Sequence, residues 1–499
     1  MIAKLDRLLG RVTMYMLVIA ILTLLALVAL VLAFLRVVSV DPWALLASAA
    51  VLLVFTWAAN ELLARLFRTR QHTTSGIITA LLLLFVLAPT LDPLGLVGIA
   101  VAALVAAASK YLLAWRGRHL ANPAAVGALV VGVTGLAFPS WWVGTPPLLP
   151  VVAVGALLIL WRTRHLGMGA LYVVASVAVI VGQFLAGGTP FATALSFALL
   201  SSPVVFTAGF MLSEPLTLPP RSWQRLTLAV VVALLANVHY SFGVYGNTPE
   251  LALVAGGVLS FFVCQRRGVK LELVEKRQLT PTAWEFRFRA LAPVRFEAGQ
   301  YLELTLPHPH PDAGGTRRVF SITSAPGDGE VTVGVRIRDE ASSFKRALVA
   351  LQPGARVRTT GVWGDFTLPR DPDAKLAFVA AGIGVTPFVA QLRSLGPRAA
   401  DAELLYAVRS ASDLAYRDEL AATGARVSVL SPDDPGTLPA GWTWLGSDAL
   451  SADAVHRAIP DARDRTVYLS GAPTDVSELR RALRRAGTRR IRTDVFLGY

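Results

Sequence analysis

Two short runs in the second half of this 499-residue chain combine residue types that handle nucleotide cofactors. In Arg318-Val319-Phe320-Ser321-Ile322-Thr323-Ser324, a guanidinium, a flat ring and hydroxyls follow one another in an extended segment. A guanidinium fork suits a phosphate, and a flat ring covers a flat ring. The same residues admit a plainer account, with Arg317 and Arg318 as solvated strand-edge charges and Phe320 in a core. The second run, Gly382-Ile383-Gly384-Val385-Thr386-Pro387, follows the apolar stretch Leu376–Ala381 and precedes an apolar helical stretch. Glycines there let a pyrophosphate approach the backbone at a helix N-terminus, and Thr386 adds a hydroxyl. Alone a Gly-x-Gly is weak; after a strand and downstream of the Arg318 run it is strong.

These runs need elements to hold them. Residues 269–372 alternate apolar and polar positions, as in Leu271-Glu272-Leu273-Val274 and Val331-Thr332-Val333-Gly334-Val335, with Gly/Pro turns between. That pattern predicts a small antiparallel β-barrel. Residues 373–499 alternate short apolar runs (376–380, 403–407, 467–469) with helical stretches, which predicts an α/β domain on an open parallel sheet.

The first 268 residues have another character. The chain is 54% apolar with a mean hydropathy of +0.56, too high for a soluble protein of this length. The apolar excess lies in residues 1–268, as roughly ten runs at 12–35, 43–64, 76–91, 95–115, 122–138, 147–161, 168–186, 191–212, 224–240 and 250–264. The expectation is a polytopic α-helical membrane domain of about ten spans. Several runs fall short of the ~20 residues a perpendicular span needs, so tilted, broken or re-entrant helices belong to it. Basic residues gather in alternate loops: Lys4, Arg7 and Arg11; Arg65, Arg68 and Arg70; Lys110, Arg116 and Arg118; Arg162 and Arg164; Arg221 and Arg225; Arg266, Arg267 and Lys270. The other loops hold Arg36, Asp41, Asp92 and Glu250 and little else. By the positive-inside rule this predicts a multi-pass protein of the cell inner (plasma) membrane with both termini cytoplasmic. The net charge of +14 thus reads as orientation in a lipid bilayer rather than nucleic-acid binding. No cleavable signal peptide is expected, because the first apolar run is too long and lacks a small-residue cleavage site.

Ser75-Gly76-Ile77-Ile78-Thr79-Ala80-Leu81 and Thr189-Pro190-Phe191-Ala192-Thr193-Ala194-Leu195 look like copies, with Pro89 and Pro203 each ten residues past the shared Thr. They start on opposite sides, which predicts an inverted repeat with functional sites at its interface. Asn122 has two readings, a helix cap or a cofactor-lining residue, and Glu214 likewise bonds helix-end amides or handles protons. No carboxylate is expected in mid-membrane, so a carboxylate-based proton path has no support. The single cysteine, Cys264, cannot hold an iron–sulfur cluster, and His119, His165 and His239 fall at helix ends rather than paired inside helices as haem requires. No metal site is assigned.

Three runs in the first half resemble a known family: His72-Thr73-Thr74-Ser75-Gly76-Ile77-Ile78-Thr79-Ala80-Leu81, Asn122-Pro123-Ala124-Ala125-Val126-Gly127 and Phe210-Met211-Leu212-Ser213-Glu214-Pro215-Leu216-Thr217-Leu218-Pro219. The family comprises one membrane component of Rnf-type electron-transport complexes and its counterpart in the sodium-translocating NADH:quinone reductase, and the resemblance covers about residues 40–265. It implies electron transfer within the membrane half, with a non-covalent FMN or riboflavin as a candidate cofactor there. Members carrying covalent FMN attach it to a Thr in a Ser-Gly-Ala-Thr run, which this chain lacks between Phe138 and Pro147. Thr193, in Phe-Ala-Thr-Ala-Leu, fits the repeat better.

The second half resembles the ferredoxin-NADP reductase family throughout. That resemblance implies FAD and NAD(P)H as cofactors. It implies that Arg318 pairs with the flavin pyrophosphate, Phe320 stacks on the isoalloxazine and Ser321 approaches its N5, with Ile322 and Thr323 completing the run. Gly299-Gln300-Tyr301 matches the strand before the flavin, and Ser342 and Ser343 occupy the helix start that holds its phosphates. Gly382, Gly384, Thr386 and Pro387 match the nicotinamide-nucleotide turn. The family's Cys-Gly-Pro beside the nicotinamide appears as Ser470-Gly471-Ala472-Pro473, and the aromatic C-terminus near the flavin as Phe496 or Tyr499. Arg409 and Ser410 meet a 2′-phosphate or are simply solvated, so NADH and NADPH both stay open.

The resulting expectation is three domains: 1–268 for transmembrane electron transfer, 269–372 for FAD and 373–499 for NAD(P). The function expected is a membrane-bound NAD(P)H-dependent flavoprotein oxidoreductase. Its electrons would pass from FAD to a membrane-domain flavin, a quinone or a docked redox partner. The alternatives are a redox-driven ion-translocating module and an assembly subunit that feeds electrons to a separate protein.

Overall fold

The computed structural model describes residues 12–67, 73–115, 118–242, 245–263, 268–312, 315–338 and 340–496. Val12–Gln265 form one compact unit, and Arg266–Tyr499 make up the bulk of a second.

The first unit is helical. In order come α1 (Met14–Phe34), α2 (Pro42–Leu66), α3 (Thr73–Val86), α4 (Pro93–Leu112), α5 (Pro123–Thr134), α6 (Leu149–Arg162), α7 (Leu166–Ala186), α8 (Phe191–Leu200), α9 (Val204–Phe206), α10 (Ser222–Asn237) and α11 (Pro249–Val263). Three of these open on the same device, a capping side chain followed by proline. Asp41 accepts from the Ala44 amide at 2.8 Å before Pro42, Asp92 from Gly95 at 2.7 Å before Pro93, and Asn122 from Ala124 at 3.0 Å before Pro123. Such a cap satisfies amides that have no intrahelical partner, and proline's fixed φ suits the first turn.

The ten apolar runs are all at least partly helical, but the expected span count is not reproduced by length. Among the described residues, only α1, α2, α4 and α7 are long and apolar enough to cross a bilayer, and α8 with Val204–Met211, bent by 45°, would make a fifth. A helix of 12 residues such as α5, or 14 such as α3, rises only about 18–21 Å, well short of ~30 Å of hydrocarbon. The run at 191–212 breaks at Ser201-Ser202-Pro203 and continues through a π-helical turn at Thr207–Met211. Its proposed counterpart α3 ends before Pro89, so the two copies part where each proline falls.

The end of α3 is closed by a returning segment. Trp142 Nε1 donates to the Leu84 carbonyl at 2.7 Å and the Trp141 amide to Val86 at 2.9 Å. Trp141 Nε1 in turn donates to Glu250 Oε2 at 2.8 Å. Glu250, expected in a connecting loop, is 1% exposed in the first turn of α11. An indole N–H 109 residues away in sequence provides the hydrogen bond that burial of this helix-end carboxylate requires.

The second unit holds two six-stranded sheets. Strands β1 (Lys270–Thr280), β2 (Ala283–Ala290), β3 (Tyr301–Thr305), β4 (Arg317–Ser321), β5 (Glu330–Arg336) and β6 (Arg356–Trp363) pair antiparallel in the order β4-β3-β6-β1-β2-β5. The two edges meet through a bridge between Ile322 and Val333, around a core that includes Phe286, Phe288, Leu304 and Phe344. Helix α12 (Ser343–Ala350) lies between β5 and β6 in sequence.

The other sheet contains β7 (Leu376–Ala381), β8 (Glu403–Ala407), β9 (Arg426–Leu430), β10 (Trp442–Trp444), β11 (Thr466–Gly471) and β12 (Ile491–Val495). All its pairs are parallel, in the order β10-β9-β8-β7-β11-β12. Its helices are α13 (Thr386–Leu395), α14 (Arg417–Ala421), α15 (Ala452–Ala458) and α16 (Pro473–Arg485). Strand order reverses between β7 and β11, and in open parallel sheets ligands bind at such a reversal, beyond the carboxyl ends of the strands.

Candidate functional site

The reversal brings together the two loops singled out in the sequence. Gly382 turns out of β7 at φ +56°, and Gly384 packs so close to the loop after β11 that a β-carbon would sit 2.4 Å from the Ser470 carbonyl oxygen. Only glycine permits both features. The turn leads into α13 with Pro387 in its first turn, as the motif requires. The Thr386 hydroxyl, however, donates to the Ile383 carbonyl at 3.0 Å, so it serves the turn itself.

Ser470 is buried and its Oγ has no hydrogen-bond partner among the described residues. The neighbouring Gly471 carbonyl accepts from the Phe496 amide at 3.0 Å, which fixes the half-buried Phe496 beside Ser470 and Gly471. Tyr499 lies outside the described residues. Asp494 pairs with Ser470 in the β11–β12 register, and burial pushes its carboxyl up to about 6.

On the antiparallel sheet, β3 and β4 pair Leu302 with Phe320 and Tyr301 with Ser321. Alternation puts Arg318 and Phe320 on one face. The Arg318 guanidinium, 6% exposed, lies 5.4 Å from the Phe344 ring centroid, and the Phe320 and Phe344 rings are 5.9 Å apart. Ser321 Oγ is buried without a hydrogen-bond partner among the described residues. Ile322 and Thr323 are tied into the sheet. Ile322 is buried in the sheet core, and the Thr323 hydroxyl bonds that of Thr332 at 2.6 Å, so both side chains join the sheet's edges. Ser342 caps α12, its Oγ accepting from the Lys345 amide at 3.4 Å, and the Ser343 amide donates to Asp312 Oδ2 at 2.7 Å.

Several residues of this region escaped the sequence reading. Burial holds Arg336 below its ordinary pKa, with Arg338 and Arg409 adding to the effect and Asp413 opposing it. Burial likewise depresses Lys345, reinforced by Arg318, Arg338 and Arg336. These five cations repel one another in a region where Asp312 pairs with Arg318 and Asp413 with Arg336, an arrangement suited to a polyanion. The available signal was the spacing Arg336-x-Arg338 at the end of β5. Arg409 is exposed beyond β8, while the Ser410 hydroxyl donates to Asp433 Oδ2 at 3.0 Å.

In the helical unit, Asn122 is seen as a cap, and its Nδ2 also donates to the Met211 carbonyl at 3.0 Å. Glu214 Oε1 meets His119 Nδ1 at 3.0 Å rather than helix-end amides, and its Oε2 is buried without a hydrogen-bond partner among the described residues. Thr193 faces outward from α8.

No family model matches the chain. It is 37% identical over 163 residues to ferredoxin–NADP reductase B of Sorangium cellulosum, covering 32% of this chain and 65% of that protein. It is 39% identical over 148 residues to the heme-dependent oxidative N-demethylase beta subunit of Ectopseudomonas mendocina, covering 29% and 46%. Identity to NADH-cytochrome b5 reductase 1 of Pyricularia oryzae is 26% over 287 residues, covering 53% and 90%. Among solved structures, a ferredoxin NADP+ reductase from Neisseria gonorrhoeae with bound FAD and NADP aligns at TM-score 0.39 and 18% identity, over 46% of this chain and 99% of that one. The chain spans about half to two thirds of the length of the first two relatives. The C-terminal half resembles the ferredoxin-NADP reductase family.

Proposed function

We propose that this chain is a membrane-bound NAD(P)H-dependent flavoprotein reductase whose helical half receives electrons from its C-terminal half. The observation that carries the reading is the meeting of Gly384 with Ser470 at the reversal of strand order, with Arg336 reaching the same turn. Relatives named as ferredoxin–NADP reductase and NADH-cytochrome b5 reductase support the same chemistry.

The residues fit FAD. Arg318 and the Ser343 amide suit its phosphates, Phe320 its ring, and the buried Ser321 hydroxyl, without a hydrogen-bond partner among the described residues, a ring heteroatom. They also fit a nicotinamide dinucleotide, with its pyrophosphate at Gly382–Thr386 and Arg336 and its reactive ring near Ser470 and Phe496. The chemistry FAD supplies when bound is the division of a two-electron donor's pair into single electrons. What the chain would contribute is placement: Gly471 and Phe496 would form one wall, and the cations would hold the nucleotides' phosphates.

Membrane residence is supported by the outward faces of the helices. Leu24, Leu27 and Val31 on α1, Trp57 and Leu62 on α2 and Val174 on α7 are all exposed from the bundle, a large apolar surface that lipid would cover. About ten traversals, the positive-inside orientation and inner-membrane residence extend that reading, together with the signatures at Ser75, Asn122 and Glu214 that resemble the Rnf-type and sodium-translocating reductase family. The electron acceptor is then a flavin or quinone of the helical half or a docked protein. Relatives named as an N-demethylase beta subunit and methane monooxygenase component C favour the docked protein. Redox-driven ion movement is the second reading, favoured by the buried Glu250 and the π-turn beside the helix break.

The visible spectrum of the purified full-length protein, before and after anaerobic NADH or NADPH, tests the first reading. A flavin spectrum bleached by either nucleotide is expected. A colourless protein that neither takes up FAD nor oxidises NAD(P)H would overturn it. Ion uptake by vesicles on NAD(P)H addition separates the second reading from the first.

A further inference from the structure

One carboxylate occupies the two phosphate-binding groups of the antiparallel sheet at once. Asp312 Oδ2 accepts from the Ser343 amide at 2.7 Å, and Asp312 Oδ1 meets Arg318 Nη2 at 3.2 Å. The Ser343 amide is a first-turn N–H of α12, which an anion outside the helix satisfies, and Arg318 is the buried guanidinium of the β4 run.

The loop that carries Asp312 is built to hold it there. The Asp312 amide donates to Ser343 Oγ at 2.9 Å, and Ser343 Oγ also bonds His308 Nε2 at 2.9 Å. His308 is anchored through Nδ1 to the Leu306 carbonyl at 2.8 Å. Pro309 and Pro311 restrict the chain between them, and His310 adopts φ +48° just before Pro311, a backbone that a non-glycine residue takes only when its surroundings impose it. Yet 37% of the Asp312 side chain is exposed, so water is available to it if it leaves Arg318.

We infer that Asp312 is a positioning residue of the flavin site, whose carboxylate competes with the flavin's diphosphate for Arg318 and the Ser343 amide. This rests on the FAD reading of Arg318. A carboxylate and a phosphate seek the same donors, and two anions on one guanidinium and one amide repel. FAD must therefore displace a preformed ion pair, which lowers its affinity and leaves it exchangeable. Riboflavin, which has no phosphate, meets no such competition.

The test is titration of the flavin-stripped full-length protein in detergent with FAD and with riboflavin, following flavin fluorescence, for wild type, Asp312→Asn and Asp312→Ala. Both variants should bind FAD at least about tenfold more tightly than wild type and riboflavin unchanged. Weaker or unchanged FAD binding in both variants would show that the carboxylate supports Arg318 or is idle, and would overturn the inference. Equal tightening of FAD and riboflavin would overturn it too, since the effect would then lie in the fold and not at the phosphate. A wild type that takes up no FAD even at high concentration is a different failure, that of the flavin assignment itself.

Discussion

Arg336 Nη1 lies 3.7 Å from the point where a β-carbon on Gly382 would sit, so a side chain of the antiparallel sheet reaches the glycine turn of the parallel sheet. Asp413 ties the same region together from the other direction. It accepts from the Thr282 hydroxyl at 2.7 Å and pairs with Arg336 at 3.4 Å. The two sheets thus share a charged contact at the point where a nucleotide's pyrophosphate is proposed to lie.

Removing that guanidinium should weaken the nicotinamide nucleotide without touching FAD. Arg336→Ala loses a charge-assisted bond of about 1.5–3 kcal/mol, so the KM for NAD(P)H should rise roughly 10–150-fold while flavin content stays constant. Steady-state kinetics with ferricyanide, alongside the flavin-to-protein absorbance ratio, checks both halves. An unchanged KM would remove Arg336 from the site.

Arg318→Ala should do the reverse. The loss is again about 1.5–3 kcal/mol, and the purified variant should be pale and regain colour with added FAD. Denaturing electrophoresis of wild type should show no fluorescent band, because the bound flavin is expected to be non-covalent. A fluorescent band lost in Thr193→Val would reverse that expectation.

What the sequence made legible was local. The Arg318–Ser324 run stood out by its residue types and its resemblance to a known motif, and the Gly382 turn showed itself through a strand, two glycines and a proline within a dozen residues. What it hid was long-range: Asp312 meets Ser343 across 31 residues, Arg336 meets Asp413 across 77, and Trp141 meets Glu250 across 109. Nothing near Glu250 in the chain announces the indole that receives it. Apolar runs likewise announced helices but not their ends, because a run continues through breaks such as Ser201-Ser202-Pro203 that only packing reveals.

The Asp494 carboxyl gives a pH signature. Its pKa is raised to about 6 in the folded chain, so the folded protein binds more protons than the unfolded one between about pH 4 and 6. That contribution to stability is complete below about pH 4 and is lost as pH rises through 6. Asp494→Asn keeps an acceptor for the Val495 amide and should therefore be more stable than wild type at pH 8, by no more than ~2 kcal/mol at a half-buried site, and no more stable at pH 4. Thermal midpoints of the full chain at both pH values test this; a constant difference at the two would assign the effect to packing instead of charge.

The division of labour between the halves is the last expectation. A reductase complete within residues 269–499 needs only FAD and the dinucleotide, so that fragment should reduce ferricyanide with NAD(P)H at a rate near that of the full chain. It should fail with a short-chain quinone or a redox-partner protein, if these receive electrons through the helical half. Asn122→Ala and Glu214→Gln in the full chain should show the same split. Asn122 caps α5 and bonds Met211 across the bundle, and Glu214 pairs with His119, so either change disturbs the helical half without altering the sheets' own residues. Loss of the Asn122 cap alone should destabilise α5 by about 1 kcal/mol, enough to misplace a bound acceptor but not to unfold a bundle of this size. If instead the fragment reduces the membrane acceptor as fast as the full chain, the helices anchor the enzyme and carry no electrons.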